Sequence, residues 1–496
     1  MNERDYLDLV EKVIEEGPYK PDWNSLNRHR TPEWYVNAKF GCFLHWGVFT
    51  VPEFSYEWYP RHMYRQGSPE NEHFKKTYGN LKDFGYKDLV PLFTADSFNA
   101  KEWLDLLEGA GVRYITPVAE HHDGFQMYDS ELSEWNSVKK GPHKDILNEL
   151  KSEAEGRDIV FCTSSHRAEH YWFMNEGREF DSDVNDPEND SLYGPAVLTE
   201  ELKGWFPKDL YQVDINSPRM KEHCENWLAR TCELVEKYRP RMIYFDWWIN
   251  NHAFKSYLKK FAAYYYNRAE EWNIEVTINY KHDAFGLGTA VFDLERGQTN
   301  EINPRFWQSD TSLTKNSWSY SPDNQWKRAE DIVCDLVDIV SKNGCMMLNV
   351  GPRADGSICD EEKELLRSIG DWMKMNGEAI YDTTYWKVFG EGPTRIPEGQ
   401  FSDTDRKPFT NEDIRFTYKG GTIYAFVMNM PNTDIINIRS LRYKGVHDEN
   451  EILLTAEILG YPDVTAVMNR TDETLSIQLS EKIESNMPVC VKITID

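Results

Sequence analysis

The chain has 496 residues, with 56 Lys+Arg against 83 Asp+Glu and a formal net charge of −27. A surface this acidic is repelled by phosphate backbones and anionic headgroups, which removes nucleic acid and membrane surfaces from the candidate partners. Aromatic residues make up 14% of the chain, including 17 Trp and 27 Tyr, and a chain so rich in aromatics folds around a large core. Eight cysteines, at 42, 162, 224, 232, 334, 345, 359 and 490, form neither CxxC pairs nor a dense framework. That is the pattern of reduced core thiols rather than disulfide staples or zinc ligands. The opening segment MNERDYLDLVEKVIEEG is charged and amphipathic, without the apolar stretch of a signal peptide. No apolar run approaches the ~18 residues of a membrane span, and the expectation is a cytoplasmic protein.

From about residue 38 to 380, short apolar strands alternate with helix-like stretches. FGCFLHWG (40–47) is followed by helical spacing in Trp103, Leu104, Leu106 and Leu107, which Gly109 and Gly111 stop before the strand RYITPVA (113–119). A helix near 143–154 precedes IVFCTSS (159–165). Ser217 as N-cap and Pro218 at the first helical position open a helix to about Lys237, leading into RMIYF (241–245). A helix near 253–271 leads to EVTIN (275–279); a loop then carries Asp293 and Glu295, and RFWQSD (305–310) follows. A helix around 327–342 precedes CMMLNV (345–350). Continuous apolar strands between helices mean parallel strands buried on both faces. No GxGxxG or P-loop supports an open doubly wound sheet, so the fold class is α/β, an irregular (β/α)8-like TIM-type barrel over 1–384.

After about residue 385 the period changes to two. Ile414, Phe416 and Tyr418 run up one strand, KGG (419–421) turns, and TIYAFVM (422–428) runs back. Val489, Val491, Ile493 and Ile495 alternate in the last strand. An antiparallel β-sandwich over 385–496 is expected, with the polar, Pro-bearing stretch 395–413 as a loop within it.

In a parallel barrel the catalytic groups stand at the C-terminal ends of the strands. Here those ends carry His45 and Trp46; Glu120, His121, His122 and Asp123; Thr163 to His166; Asp246; Asn279, Tyr280 and Lys281; and Asp310. The cluster SYEWYPRHMY adds Glu57, Trp58 and His62. A single polar strand end caps a helix or starts a turn more often than it reacts, but so many together, with Trp interleaved, suggest one polar, aromatic-walled mouth. Asp246 follows four apolar residues and precedes Trp247 and Trp248, so its carboxylate should be partly desolvated, a setting commoner for functional than structural acids. His121 and His122, adjacent and without HxH or HExxH, suit hydrogen bonds to hydroxyls better than zinc, and no GxSxG elbow supports a serine triad. Paired carboxylates, imidazoles and indoles around one mouth are the equipment of a glycosidase. A non-catalytic sugar-binding protein and a metal-dependent amidohydrolase are the competing classes.

KFGCFLHWGVFTVPEFSYEWYPRHMY (39–64), VAEHHDGFQMYDS (118–130), IYFDWW (243–248) and NGCMMLNVGPRADGSI (343–358) resemble, in order, glycoside hydrolase family 29, the α-L-fucosidases. The resemblance implies a catalytic barrel followed by a β-sandwich, removal of terminal α-L-fucosyl residues from oligosaccharides or glycoconjugates by double displacement, and no metal or organic cofactor. It places the nucleophile at Asp246, the acid/base at Glu295, and sugar contacts at His45, Glu57, Trp58, His121 and His122. Trp318 joins Trp58 as a candidate to pack against the sugar's C5 methyl group. Two departures touch the sugar pocket. CTSSHRAEHYW stands where the family has an aromatic-rich strand end, making His166 a candidate hydroxyl contact, and Lys281 stands where the family often has Arg. Both leave a related L-sugar, L-galactose or L-glucose, as an alternative glycone. The loop 176–215 is a candidate for the aglycone side.

Overall fold

The computed structural model describes residues 1–200, 202, 216–405, 407–445 and 452–496; residues 201 and 203–215 of the candidate aglycone loop lie outside them. Nine parallel segments form the barrel wall: β1 (Phe40–Leu44), β2 (Tyr114–Glu120), β3 (Val160–Phe161), β4 (Thr163–Ser165), β5 (Met242–Phe245), β6 (Thr277–Tyr280), β7 (Val291–Asp293), β8 (Trp307–Ser312) and β9 (Gly344–Val350). β3 and β4 are one stave interrupted at Cys162, both pairing with β2. β1 pairs with β2 on one side and β9 on the other, closing eight staves into a ring.

Burial on both faces explains the continuous apolar strands. Phe43, Val118, Met242, Tyr244, Val291 and Met347 meet in one cluster inside the ring, while their neighbours Leu44, Ile115, Ile243, Phe245 and Leu348 join the layer beneath the helices. This is the period-two alternation of a strand wrapped around a packed centre. The helices Ala100–Gly109, Ile146–Ala154 and Pro218–Tyr238 each start on a side chain that accepts a backbone N–H of the first turn: Asn99, Asp145 and Ser217. Lys255–Trp272, Ala329–Ser341 and Asp360–Asn376 join them in the outer layer, and Glu3–Glu16 packs on Pro218–Tyr238 and Lys255–Trp272.

One expectation fails. Asp293 sits on a strand, β7, not in a loop, and neither the connection from β6 to β7 nor that from β7 to β8 contains a helix. Three residues are too short to show a period, and Gly286 and Gly288 interrupt any helical pattern before them.

The antiparallel part begins at β10 (Thr384–Glu391) and continues through β11 (Ile414–Lys419), β12 (Thr422–Val427), β13 (Ile435–Ile438), β14 (Leu453–Ile458), β15 (Ala466–Arg470), β16 (Leu475–Leu479) and β17 (Val489–Ile495). A five-stranded sheet, β10-β11-β12-β17-β14, and a three-stranded sheet, β13-β16-β15, share one apolar core. Gly420 and Gly421, at φ +54° and +82°, make the two-residue turn between β11 and β12 that the strand twist favours. Asp338 of the barrel accepts from Arg415 Nε of β11 and from Lys342 Nζ, each at 2.5 Å, and all three side chains are no more than 2% exposed. The stretch 395–413 is not confined to this part of the molecule. Its segment 398–403 runs back along 295–298 of the barrel, with hydrogen bonds from Phe401 N to Glu295 O (2.9 Å) and from Ser402 N to Arg296 O (2.8 Å).

Candidate active site

The strand ends converge on a cavity of about 270 Å³, small for a ligand pocket and sized for one sugar ring rather than an oligosaccharide. The ten residues given a catalytic or sugar-binding role in the sequence line it: His45, Glu57, Trp58, His121, His122, His166, Asp246, Lys281, Glu295 and Trp318; Trp46, His62, Glu120, Asp123, Asn279 and Tyr280 of the expected mouth are not on its wall.

Asp246 directly follows β5 and caps the short turn Trp247–Asn250, its Oδ1 accepting Trp247 N at 2.8 Å. Its Oδ2 faces His166 Nδ1 at 3.2 Å and His122 Nε2 at 3.6 Å, and Lys281 Nζ lies 3.4 Å from Oδ1. Burial alone would raise this carboxyl, but Lys281, His166 and His122 outweigh it and hold the group well below the usual carboxylate range. The acid is therefore ionised at neutral pH. His166 Nε2 lies 3.2 Å from Ser164 Oγ, so both its ring nitrogens already have protein partners. The imidazole braces Asp246 and has no free nitrogen for the substrate hydroxyl expected of it.

Glu295 lies two residues beyond β7, its side chain 14% exposed, with Oε2 2.5 Å from Lys281 Nζ. Burial pushes its carboxyl up, Lys281 opposes, and Asp310 and Asp246 add to the rise, leaving it at about 7. Lys281 also reaches Asp310 Oδ2 at 3.5 Å, so one buried ammonium faces three carboxylates. Burial works against its charge, but Asp310, Glu295 and Asp246 hold the amine well above its ordinary value. The residues that follow Lys281 and Glu295, His282 and Arg296, both adopt left-handed backbone, φ +55° and +44°, the kind of local strain that concentrates at functional sites.

A cluster of imidazoles continues the wall beside Asp246. His45 Nδ1 donates to Asn349 Oδ1 at 2.7 Å, an orientation fixed because the Asn349 amide donates to Trp318 O at 2.6 Å. Burial and the neighbouring His166 keep His45 neutral, leaving Nε2 as an acceptor. His121 is likewise held well below its usual value, by burial and by His122, His166 and His45, and its buried Nδ1 has no protein partner. His122 goes the other way: burial disfavours its charge, but Glu169 and Asp246 raise it above its ordinary value. Glu57 Oε2 accepts Trp318 N at 2.9 Å, while burial, only partly offset by that N–H, raises its carboxyl. The Trp318 ring lies 5.2 Å from His45, tilted by 33°, and under the Arg296 guanidinium at 4.6 Å. Among the described residues, two sets bring one ligating atom each to within 4.8 Å of one another: His45, His121 and His166; and His122, His166 and Asp246. They share the imidazole that already serves Asp246 and Ser164.

The sequence reading did not assign several contributors. Tyr244, the inward neighbour of Asp246, donates its hydroxyl to Asp310 Oδ2 at 2.8 Å. Asn349 stands at the polar end of CMMLNV, the same signal that flagged the other strand ends. Glu169, 3.3 Å from His122 Nδ1 and accepting Trp248 N at 3.0 Å, gave no local signal. Gln400 and Phe401 enter the cavity wall from the C-terminal part of the chain, where no barrel-based reading would look.

The family profile described as Alpha-L-fucosidase matches residues 8–378. Human tissue alpha-L-fucosidase is 29% identical over 452 residues, covering 88% of this chain and 84% of that protein. Human plasma alpha-L-fucosidase is 31% identical over 382 residues, covering 74% and 73%. The crystal structure of Thermotoga maritima alpha-fucosidase superposes with a TM-score of 0.73 at 27% identity, covering 96% of this chain and 100% of that one. With the profile running from ahead of β1 past the last barrel helix, and with relatives matched across most of their own length, the chain belongs to the α-L-fucosidase family and is a glycoside hydrolase.

Proposed function

We propose that this enzyme removes terminal α-L-fucosyl residues with retention of configuration, with Asp246 as nucleophile and Glu295 as acid/base. The observation that carries the assignment is the shared ammonium. Lys281 Nζ lies 3.4 Å from Asp246 Oδ1 and 2.5 Å from Glu295 Oε2, so those two oxygens cannot be further apart than the 5.9 Å the two legs span together. Retaining glycosidases hold their carboxyls about 5–5.5 Å apart, whereas inverting enzymes need roughly 6.5–9.5 Å to admit a water.

The two acids are also tuned in opposite directions, as acid and nucleophile require. Asp246, ionised, attacks the anomeric carbon; the C1–O bond to the leaving group breaks, and Glu295 delivers its proton to that oxygen. The product alcohol departs and a glycosyl ester on Asp246 remains. Glu295, now a carboxylate, takes a proton from water as the water oxygen attacks C1, expelling Asp246 and regenerating both groups. His45 and His121, both held neutral, bind hydroxyls through ring nitrogens, which is supported by His121 Nδ1 having no hydrogen-bond partner among the described residues, and Trp58 and Trp318 supply apolar faces for the ring.

The test is hydrolysis of aryl α-L-fucoside, α-L-galactoside and β-D-galactoside, with the first-formed anomer followed by NMR. Preferred turnover of the fucoside with α-L-fucose appearing first is expected. β-L-fucose appearing first overturns retention, and preference for the α-L-galactoside overturns the glycone.

A further inference from the structure

The segment 398–403 does more than pass the catalytic mouth. Phe401 N donates to Glu295 O (2.9 Å), Ser402 N and Asp403 N donate to Arg296 O (2.8 and 2.9 Å), and Gly399 N donates to Gln298 O (3.3 Å). The two chains approach so closely that a Cβ on Gly297 would collide with the Gly399 carbonyl. The segment is anchored from below by Asp403, its side chain 8% exposed, which accepts from Lys327 Nζ at 2.5 Å and Thr311 Oγ1 at 2.7 Å. A loop of the C-terminal part is thus clamped along the acid/base segment. Phe401 is held there in left-handed backbone, φ +55°, and is 60% exposed although it lines the cavity.

Phe401 thus presents a large apolar ring to the space just outside the cavity, on the rim beside Glu295. What occupies that space follows from the reaction. The oxygen that receives the Glu295 proton must come within hydrogen-bond reach of that carboxyl. The rest of the leaving group must then project out of a cavity with room for one sugar, past the residue bonded to Glu295's own carbonyl. We infer that Phe401 is the platform for the leaving-group sugar: a pyranose lays a C–H face on the ring, with Gln400 on the same rim beside its hydroxyls. This deepens the α-L-fucosidase reading and rests on it. The C-terminal β-domain then shapes which glycans the barrel cleaves.

The clamp uses the main chain of residue 401, so side-chain substitution leaves it in place. The experiment measures kcat/KM of wild type, Phe401→Ala and Phe401→Trp on a fucosyl-galactose disaccharide and on α-L-fucosyl fluoride, whose leaving group has no ring. The disaccharide-to-fluoride ratio is expected to fall about tenfold in Phe401→Ala and to return in Phe401→Trp. A ratio unchanged in Phe401→Ala, or equal losses on both substrates in both variants, overturns the platform. Wild-type protein that turns over neither substrate overturns the fucosidase reading beneath it.

Discussion

Lys281 Nζ sits 2.5 Å from Glu295 Oε2 and 3.4 Å from Asp246 Oδ1, joining the proposed proton donor and the proposed nucleophile through one buried cation. The ammonium lowers both carboxyls, against burial in each case. Replacing it by Met should therefore raise both. With Asp246 as nucleophile and Glu295 as proton donor, as proposed, kcat/KM requires ionised Asp246 and protonated Glu295, and activity is expected to fall as pH rises through about 7 in the wild type. In Lys281→Met both limbs of the pH profile move to higher pH, and kcat/KM at neutral pH falls about a hundredfold with the lost charge stabilisation. A basic limb that stays put or moves down would show that Lys281 does not set the Glu295 proton.

Asp246→Ala should lower kcat by roughly four to six orders of magnitude, as loss of a nucleophile does elsewhere. Azide, small enough to enter the vacated space, should restore part of the rate on an activated aryl fucoside and give the β-L-fucosyl azide, inverted at C1. Turnover at the wild-type rate without azide would sink the assignment.

Glu295→Ala separates proton donation from everything else. A natural fucoside needs its leaving oxygen protonated and should lose about 10²–10⁴ in kcat, whereas fucosyl fluoride, with a better leaving group, should lose far less. Equal losses on both substrates would move the acid role to Glu57 or Asp310, the other carboxylates on the cavity wall.

Away from the site, Asp338 holds Arg415 and Lys342 at 2.5 Å each where the barrel meets β11. Asp338→Ala leaves two buried cations without their counterion and should cost about 3–5 kcal/mol, read as a lower midpoint in urea unfolding. A midpoint within error of wild type would show that water or neighbouring acids replace the carboxylate there.

The parts of this enzyme legible in the sequence are those whose signal is local. Asp246 announces itself because four apolar residues and two Trp flank it, and β5 buries that run as the pattern implies. The helix at Pro218 begins where Ser217 caps it. β7 was illegible because three residues carry no period. His166 was read as a hydroxyl ligand because its tie to Asp246, 80 residues away, is a tertiary fact. Phe401 is illegible for the same reason on a larger scale: its neighbour Glu295 lies on a barrel loop more than 100 residues earlier, and a polar, Pro-bearing stretch looks like any surface connection until the chain is folded.

That pairing also sets an order in time. A chain emerging from the ribosome exposes every residue of the sugar cavity from His45 to Trp318 well before residue 398, and domains fold as they emerge, N-terminal first. A nascent barrel can thus close its ring while the segment bearing its proton donor still lacks the edge it hydrogen-bonds to. The edge along 295–298 is completed only with the last fifth of the polypeptide, so a barrel cut free of its C-terminal sheets would keep Lys281 beside Glu295 but lose the backbone partner of that segment.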